Sequence, residues 1–263
     1  MTPHEPAAPD PAPASIAYRD DAFLDSDDAR PLRILSEYLR PLQVFRRRRV
    51  HDTIVFFGSA RLTEDGPLAE YYTGARELAR LVTAWAMGLD ASMHRFVVCT
   101  GGGGGIMDAA NRGAAEAGGR TVGLNITLPH EQKPNAWITP GLSLEFHYFF
   151  MRKLWFAHLA RAIVAFPGGF GTLDELFEIL TLRQTGKFDR NVLVLLYGSR
   201  YWNEVVNFPA LARMGLISSE NLSLFRIVDG PAEALAVLQQ GLAVQPDTAS
   251  PAIARSITRS SRT

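Results

Sequence analysis

From about residue 50 onward, short apolar runs alternate with longer stretches of helical periodicity. Segments 53–58, 95–100, 121–126, 162–166, 191–197 and 225–228 read as strands. Several are apolar at successive rather than alternate positions, the pattern of parallel strands covered on both faces. Helical periodicity falls at roughly 31–46, 67–87, 105–118, 147–160, 172–186, 201–214 and 231–240, with Pro67 and Pro231 set to open two of these segments. The βαβ rhythm predicts an α/β fold: a Rossmann-like, doubly wound parallel sheet in a single domain. Ligands of such a sheet are received at the C-terminal ends of its strands.

Polar positions without periodicity mark both ends. Residues 1–29 are rich in Pro, Ala and Asp, and residues 244–263 scatter Ser, Thr, Arg and Pro. Neither stretch has enough apolar surface to offset the entropy of ordering, so both are expected to be flexible tails. The folded unit is expected to span 30–243.

Composition narrows the function. Of 263 residues, 47% are hydrophobic, and 27 basic residues balance 27 acidic ones. A net charge of zero supplies no broad field for nucleic acid or a membrane surface, and neither is expected as a partner. The run Arg46-Arg47-Arg48-Arg49 reads first as a solvated helix end that complements the helix dipole. A nucleic-acid or acidic-partner patch is its alternative reading. Cys99, the only cysteine, sits in an apolar strand run and is expected to be a buried thiol in a reducing compartment. The N-terminus lacks the basic and apolar regions of a signal peptide, and no run is long enough to span a bilayer. A cytoplasmic protein is expected. No His/Cys/Asp spacing suggests a metal site.

Two glycine loops carry the chemistry. Thr100 leads into Gly101-Gly102-Gly103-Gly104-Gly105, which opens a helix at Ile106. Backbone without side chains can approach a ligand closely, and the amides of Gly102, Gly103, Gly104 and Gly105 are candidates to cradle a phosphate. The GxGxxG dinucleotide fingerprint fits poorly, because its third glycine would fall on Ile106, Met107 or Asp108. The second loop is Pro167-Gly168-Gly169-Phe170-Gly171-Thr172-Leu173-Asp174-Glu175. Gly168, Gly169, Gly171 and Thr172 are candidate phosphate ligands there, Thr172 doubling as a helix cap. Asp174 and Glu175 are expected in the first helical turn, where the helix field favours an ionised carboxylate. Such a carboxylate can stabilise positive charge at a sugar C1′ or activate water.

Upstream, Arg152-Lys153 places two cations at one point of an aromatic segment. By itself the pair suits either a binding site or a surface. His147 and His158 read as core or interface packing, and Trp155 and Trp202 as core. Trp137 reads either as core or as a candidate to line a base pocket. Asn111 and Arg112 read as helix surface, with the alternative that the first turn after the glycine loop brings one of them to ligand, and Glu178 reads as solvated.

Taken together, these residues resemble the LOG family, named for the plant "lonely guy" enzymes and often labelled lysine decarboxylases in bacteria. Pro167 to Glu175 matches its PGGxGTxxE motif, Arg152-Lys153 its upstream Arg-Lys pair, and Thr100 to Asn111 its glycine loop. Phe57-Gly58-Ser59-Ala60-Arg61 is similar to its first strand-to-loop segment. The resemblance covers roughly residues 50–230. It implies a phosphoribohydrolase acting on cytokinin riboside 5′-monophosphates or AMP, of the AMP nucleosidase type, that needs no cofactor. It further implies that Arg152 and Glu175 are the catalytic pair, that Lys153 and the Gly168–Thr172 loop lie near phosphate, and that the protein is a homodimer. Asp174 is kept as a secondary acid. The alternative is a non-catalytic nucleotide-binding or sensing module on the same fold. The decarboxylase label fits poorly, since only three lysines are present and Lys153 alone lies near a motif.

Overall fold

The computed structural model describes residues 16–89, 95–127, 133–188 and 191–243. Seven strands run parallel in one sheet: β1 (Thr53–Phe57), β2 (Val97–Thr100), β3 (Thr121–Ile126), β4 (Ser143–Phe146), β5 (Ala160–Ala165), β6 (Leu193–Tyr197) and β7 (Arg226–Val228). Their order across the sheet is β4-β3-β2-β1-β5-β6-β7. The chain thus works outward from β1 to β4, then returns to lay β5 against the other edge of β1, with Val55 beside Ile163. Segments leaving β1 and β5 diverge at this reversal and open a crevice at the C-terminal ends of the strands.

Alternation within each strand supplies both faces. Ile54 and Phe56 of β1 join one apolar cluster, whereas Val55 and Phe57 join the other. On the first face lie α3 (Ala69–Met87), α4 (Ile106–Glu116) and α9 (Pro231–Ala243). On the second lie α2 (Arg30–Arg48), α5 (Phe149–Leu159), α6 (Phe170–Gln184), α7 (Ser199–Val205) and α8 (Phe208–Arg213). Strands so enclosed are mostly apolar, and β5 is buried along its whole length, Arg161 included.

All six predicted strands are present within two residues of their expected ends. Strand β4 was not predicted: it is a four-residue edge strand in which Leu144 and Phe146 point inward between exposed neighbours. The helix expected at 201–214 is two helices. Asn207 breaks it by accepting a hydrogen bond from the Ala210 N–H, with Pro209 in the first turn of α8. Within the N-terminal stretch expected to be flexible, residues 17–19 form a 3-10 turn and Asp21–Asp25 form α1. Arg33 holds them there, its Nη1 donating to the carbonyls of Leu24 (2.5 Å) and Ser26 (2.6 Å). Residues 1–15 and the tail expected at 244–263 lie outside the described residues.

The arginine run ends α2 as expected, with Arg46, Arg47 and Arg48 in the last turn and Arg49 in the left-handed region at φ 53°. Cys99 is buried, and burial pushes its thiol pKa well up. No helix among the described residues is long and apolar enough to cross a membrane.

Candidate active site

Three loops meet at the reversal of the sheet, and Ser59 ties them together. Its N–H donates to the Pro167 carbonyl (3.0 Å), and its own carbonyl accepts from the N–H of Ile106 at the start of α4 (3.0 Å). Its hydroxyl closes the turn by accepting from the Arg61 N–H at 3.1 Å. Such close approach dictates two glycines. At Gly105, φ is 64° and a Cβ would lie 2.2 Å from the Ser59 carbonyl oxygen; at Gly168 it would lie 2.1 Å from Thr172 Oγ1.

Helix α6 starts earlier than expected. It opens at Phe170 with Gly169 as N-cap and no side-chain cap, so the first-turn amides of Phe170, Gly171 and Thr172 lack a capping side chain. Thr172 is therefore the third helical residue rather than the cap, and Asp174 and Glu175 fall in the second turn rather than the first. The consequence is large for Glu175. It shares the buried stripe of Thr172, Leu176 and Ile179, a spacing normally given to apolar side chains.

Helix α5 brings Arg152 to the same place. Glu37 of α2 anchors the start of α5: its Oε1 accepts from the His147 N–H (2.7 Å) and its Oε2 from the Tyr148 N–H (3.2 Å). Arg152 Nη2 then lies 3.4 Å from Glu175 Oε1, with its guanidinium over the rings of Phe149 and Phe156. Burial lifts the Glu175 pKa to about 7, against the pull of Arg152 and Lys153 and with the push of Glu178 and Asp174. Burial likewise lowers the pKa of Arg152, outweighing the attraction of Glu175. Its Nε is buried with no hydrogen-bond partner.

These groups wall a cavity of about 770 Å³. Of the residues expected at the site, Arg152, Glu175, Gly168, Gly169, Gly171 and Thr172 line it. Gly101 lines it too, but Gly102, Gly103, Gly104 and Gly105 do not. Asn135 holds the first two from behind, with its Nδ2 donating to the carbonyls of Gly102 (3.2 Å) and Gly103 (2.9 Å). Lys153 and Asp174 also lie outside the lining. Lys153 Nζ bridges Asp174 (2.7 Å) and Glu178 (2.9 Å), so Glu178 is an ion-pair partner rather than merely solvated.

Other side chains belong elsewhere. Asn111, expected on the helix surface, is buried and accepts from the Thr100 hydroxyl at 2.6 Å. His147 is exposed rather than packed in the core, whereas Trp155 and Trp202 are core residues. Trp137 stacks under Arg112 and is not in the cavity wall. Among the described residues no group of His, Cys, Asp and Glu could hold a metal ion.

Sequence reasoning missed three contributors. Arg61 and Phe149 line the cavity, as does Tyr201 of α7, whose hydroxyl donates to the Gly168 carbonyl. Nothing local marks Tyr201, but the Gly58–Arg61 turn follows a strand, where a ligand-facing loop is expected.

Residues 107–238 match the family model described as "Possible lysine decarboxylase". A probable cytokinin riboside 5′-monophosphate phosphoribohydrolase of Oryza sativa subsp. japonica is 28% identical over 149 residues, covering 56% of this chain and 64% of that protein. A cytokinin riboside 5′-monophosphate phosphoribohydrolase of Arabidopsis thaliana is 29% identical over 162 residues, covering 62% and 65%. The chain thus spans somewhat less than two thirds of the length of these two relatives. Among solved structures, the molybdenum cofactor binding protein of Rippkaea orientalis shares the fold. Its TM-score is 0.52 at 17% identity, over 73% of this chain and 98% of that one.

Proposed function

This chain belongs to the family described as possible lysine decarboxylase, and from that premise we propose that it is a phosphoribohydrolase. It cuts the N-glycosidic bond of a nucleoside 5′-monophosphate, AMP or a cytokinin riboside 5′-monophosphate, releasing free base and ribose 5-phosphate. The observation that carries this reading is a single buried carboxyl, Glu175, facing the same cavity as the uncapped start of α6. An anion-binding helix end beside a carboxylate suits a substrate with a phosphate at one end of a ribose and a cation-like C1′ at the other. The activity for which these relatives are named is of this kind.

In the reaction, the amides of Phe170, Gly171 and Thr172 hold the 5′-phosphate. Ionised Glu175 faces C1′, and Arg152 orients it. As the C1′–N bond breaks, its electron pair leaves with the base, which takes a proton from solvent. Water adds its oxygen to C1′ and gives a proton to Glu175. A carboxyl with a pKa of about 7 exchanges that proton readily near neutral pH.

Decarboxylation of lysine by a Schiff-base mechanism needs a neutral amine. Lys153 is ill suited to it: burial disfavours its charge, but Asp174 and Glu178 outweigh burial and keep its pKa above the ordinary value. The homodimer belongs to the same proposal, with exposed Leu35, Leu39, Phe150 and Leu154 as apolar surface available to a second copy. Sedimentation of the pure protein tests it.

The reaction itself is tested by chromatography. Pure protein is incubated with AMP, isopentenyladenosine monophosphate and other nucleotides, beside Glu175→Gln. Release of base and ribose 5-phosphate by the wild type alone is expected. Nucleotide binding without release by either would replace the hydrolase with a sensing module.

A further inference from the structure

Among the described residues two cations line the cavity, Arg152 and Arg61, and their circumstances differ. Arg152 is committed to Glu175 and sandwiched by aromatic rings. Lys153, the cation expected near phosphate, is spent on Asp174 and Glu178 outside the lining. Arg61 is exposed at the cavity wall, and among the described residues its guanidinium has no ion pair or hydrogen bond; its backbone N–H alone is engaged, on Ser59 Oγ. Its base is nonetheless fixed. The Ser59 turn is bonded at once to the Pro167 loop and to the start of α4, so Arg61 springs from a braced turn of the crevice.

We propose that Arg61 is the phosphate-gripping cation of this cavity. A phosphate seated at the start of α6 would otherwise meet helix amides alone, whose field of about half a positive charge falls short of the two negative charges of a monophosphate ester. The planar guanidinium of Arg61 takes two of its oxygens and supplies the missing positive charge. Arg61 thereby sets the preference for nucleotides over nucleosides, leaving Arg152 to the carboxylate. This assignment rests on the nucleotide reading of the site.

The test compares wild type with Arg61→Ala and Arg61→Lys. Binding of ribose 5-phosphate and of ribose is measured by calorimetry, and turnover of AMP and adenosine by chromatography. Arg61→Ala is expected to weaken ribose 5-phosphate roughly 10- to 100-fold, the range of a charge-assisted hydrogen bond. It should raise KM for AMP rather than lower kcat, and leave ribose and adenosine unaffected. Arg61→Lys should recover part of the loss. Unchanged ribose 5-phosphate affinity in Arg61→Ala, or a wild type that binds none, overturns the assignment. The two readings separate cleanly. Binding that depends on Arg61 without release of any base leaves Arg61 in place and removes the hydrolase, whereas equal AMP turnover by wild type and Arg61→Ala does the reverse.

Discussion

Arg152 Nη2 and Glu175 Oε1 sit 3.4 Å apart in a nearly dry wall, their side chains 15% and 9% exposed. That separation is at the outer edge of a hydrogen bond, so the Coulomb attraction is weaker than close bidentate pairing would give. Desolvation therefore dominates both partners, and Glu175 is left with a pKa of about 7 instead of being driven down as in a tight salt bridge.

The first consequence is kinetic. Glu175 must be ionised to stabilise C1′ or to accept a proton from water, so kcat/KM for AMP should rise with pH and level off above a midpoint near 7. Glu175→Gln should lower kcat by about 10²- to 10⁴-fold and erase that limb. Arg152→Gln removes an opposite charge and should move the midpoint upward in whatever activity survives. A midpoint near 4.5, the ordinary value, would show that burial does not govern the group.

The same shift is a statement about stability. Below pH 4.5 Glu175 is protonated in both folded and unfolded chains. Between 4.5 and about 7 the unfolded chain releases the proton while the folded chain keeps it, so stability is lost as pH rises through that window. Glu175→Gln should therefore gain on the wild type by ~1–3 kcal/mol between pH 4 and pH 8, read from denaturant midpoints. An equal difference at both pH values would sink the idea.

Glycines of the second loop separate folding from binding. A Cβ at Gly171 meets nothing within 4 Å, although the residue lines the cavity. Gly171→Ala should keep or raise stability by about 0.5–1 kcal/mol while raising KM for a nucleotide. Gly168→Ala drives a Cβ to 2.1 Å from Thr172 Oγ1 and 3.0 Å from Ser59 N, and should lose roughly 1–3 kcal/mol. Thermal melts beside Michaelis curves check both; parallel losses in Gly171→Ala would make that glycine structural.

Strand and helix periodicity made the sheet readable, because buried parallel strands such as β6, Leu-Val-Leu-Leu-Tyr, are hydrophobic along their length. That Arg152 and Glu175 share one cavity wall was legible through the resemblance of their motifs to the family, whereas Arg152-Lys153 by itself suited site or surface equally. What escaped depends on contacts between distant segments. The hold of Asn135 on Gly102 and Gly103 requires knowing where residue 135 folds back, and the diversion of Lys153 requires α5 to lie along α6. Edge strand β4 has only four residues, two of them inward, which is too little pattern to register.

Glu37 is the sharpest such case, since it acts on residues 110 and 111 positions away. Its carboxylate receives the N–H groups of His147 and Tyr148 just before α5, and its carbonyl accepts from Trp155 Nε1 at 3.0 Å. A fixed acid at this helix start both caps it and sets the position of Arg152 one turn later. Glu37→Ala should cost about 1–3 kcal/mol, as expected for losing charge-assisted bonds to a helix start. Activity should fall further than that loss explains, because Arg152 would drift from Glu175 and the midpoint of the pH profile would climb. Glu37→Gln keeps one acceptor oxygen and should recover part of both. A folded Glu37→Ala protein with full activity and an unmoved pH profile would reduce Glu37 to a structural cap and leave Arg152 positioned by its aromatic neighbours alone.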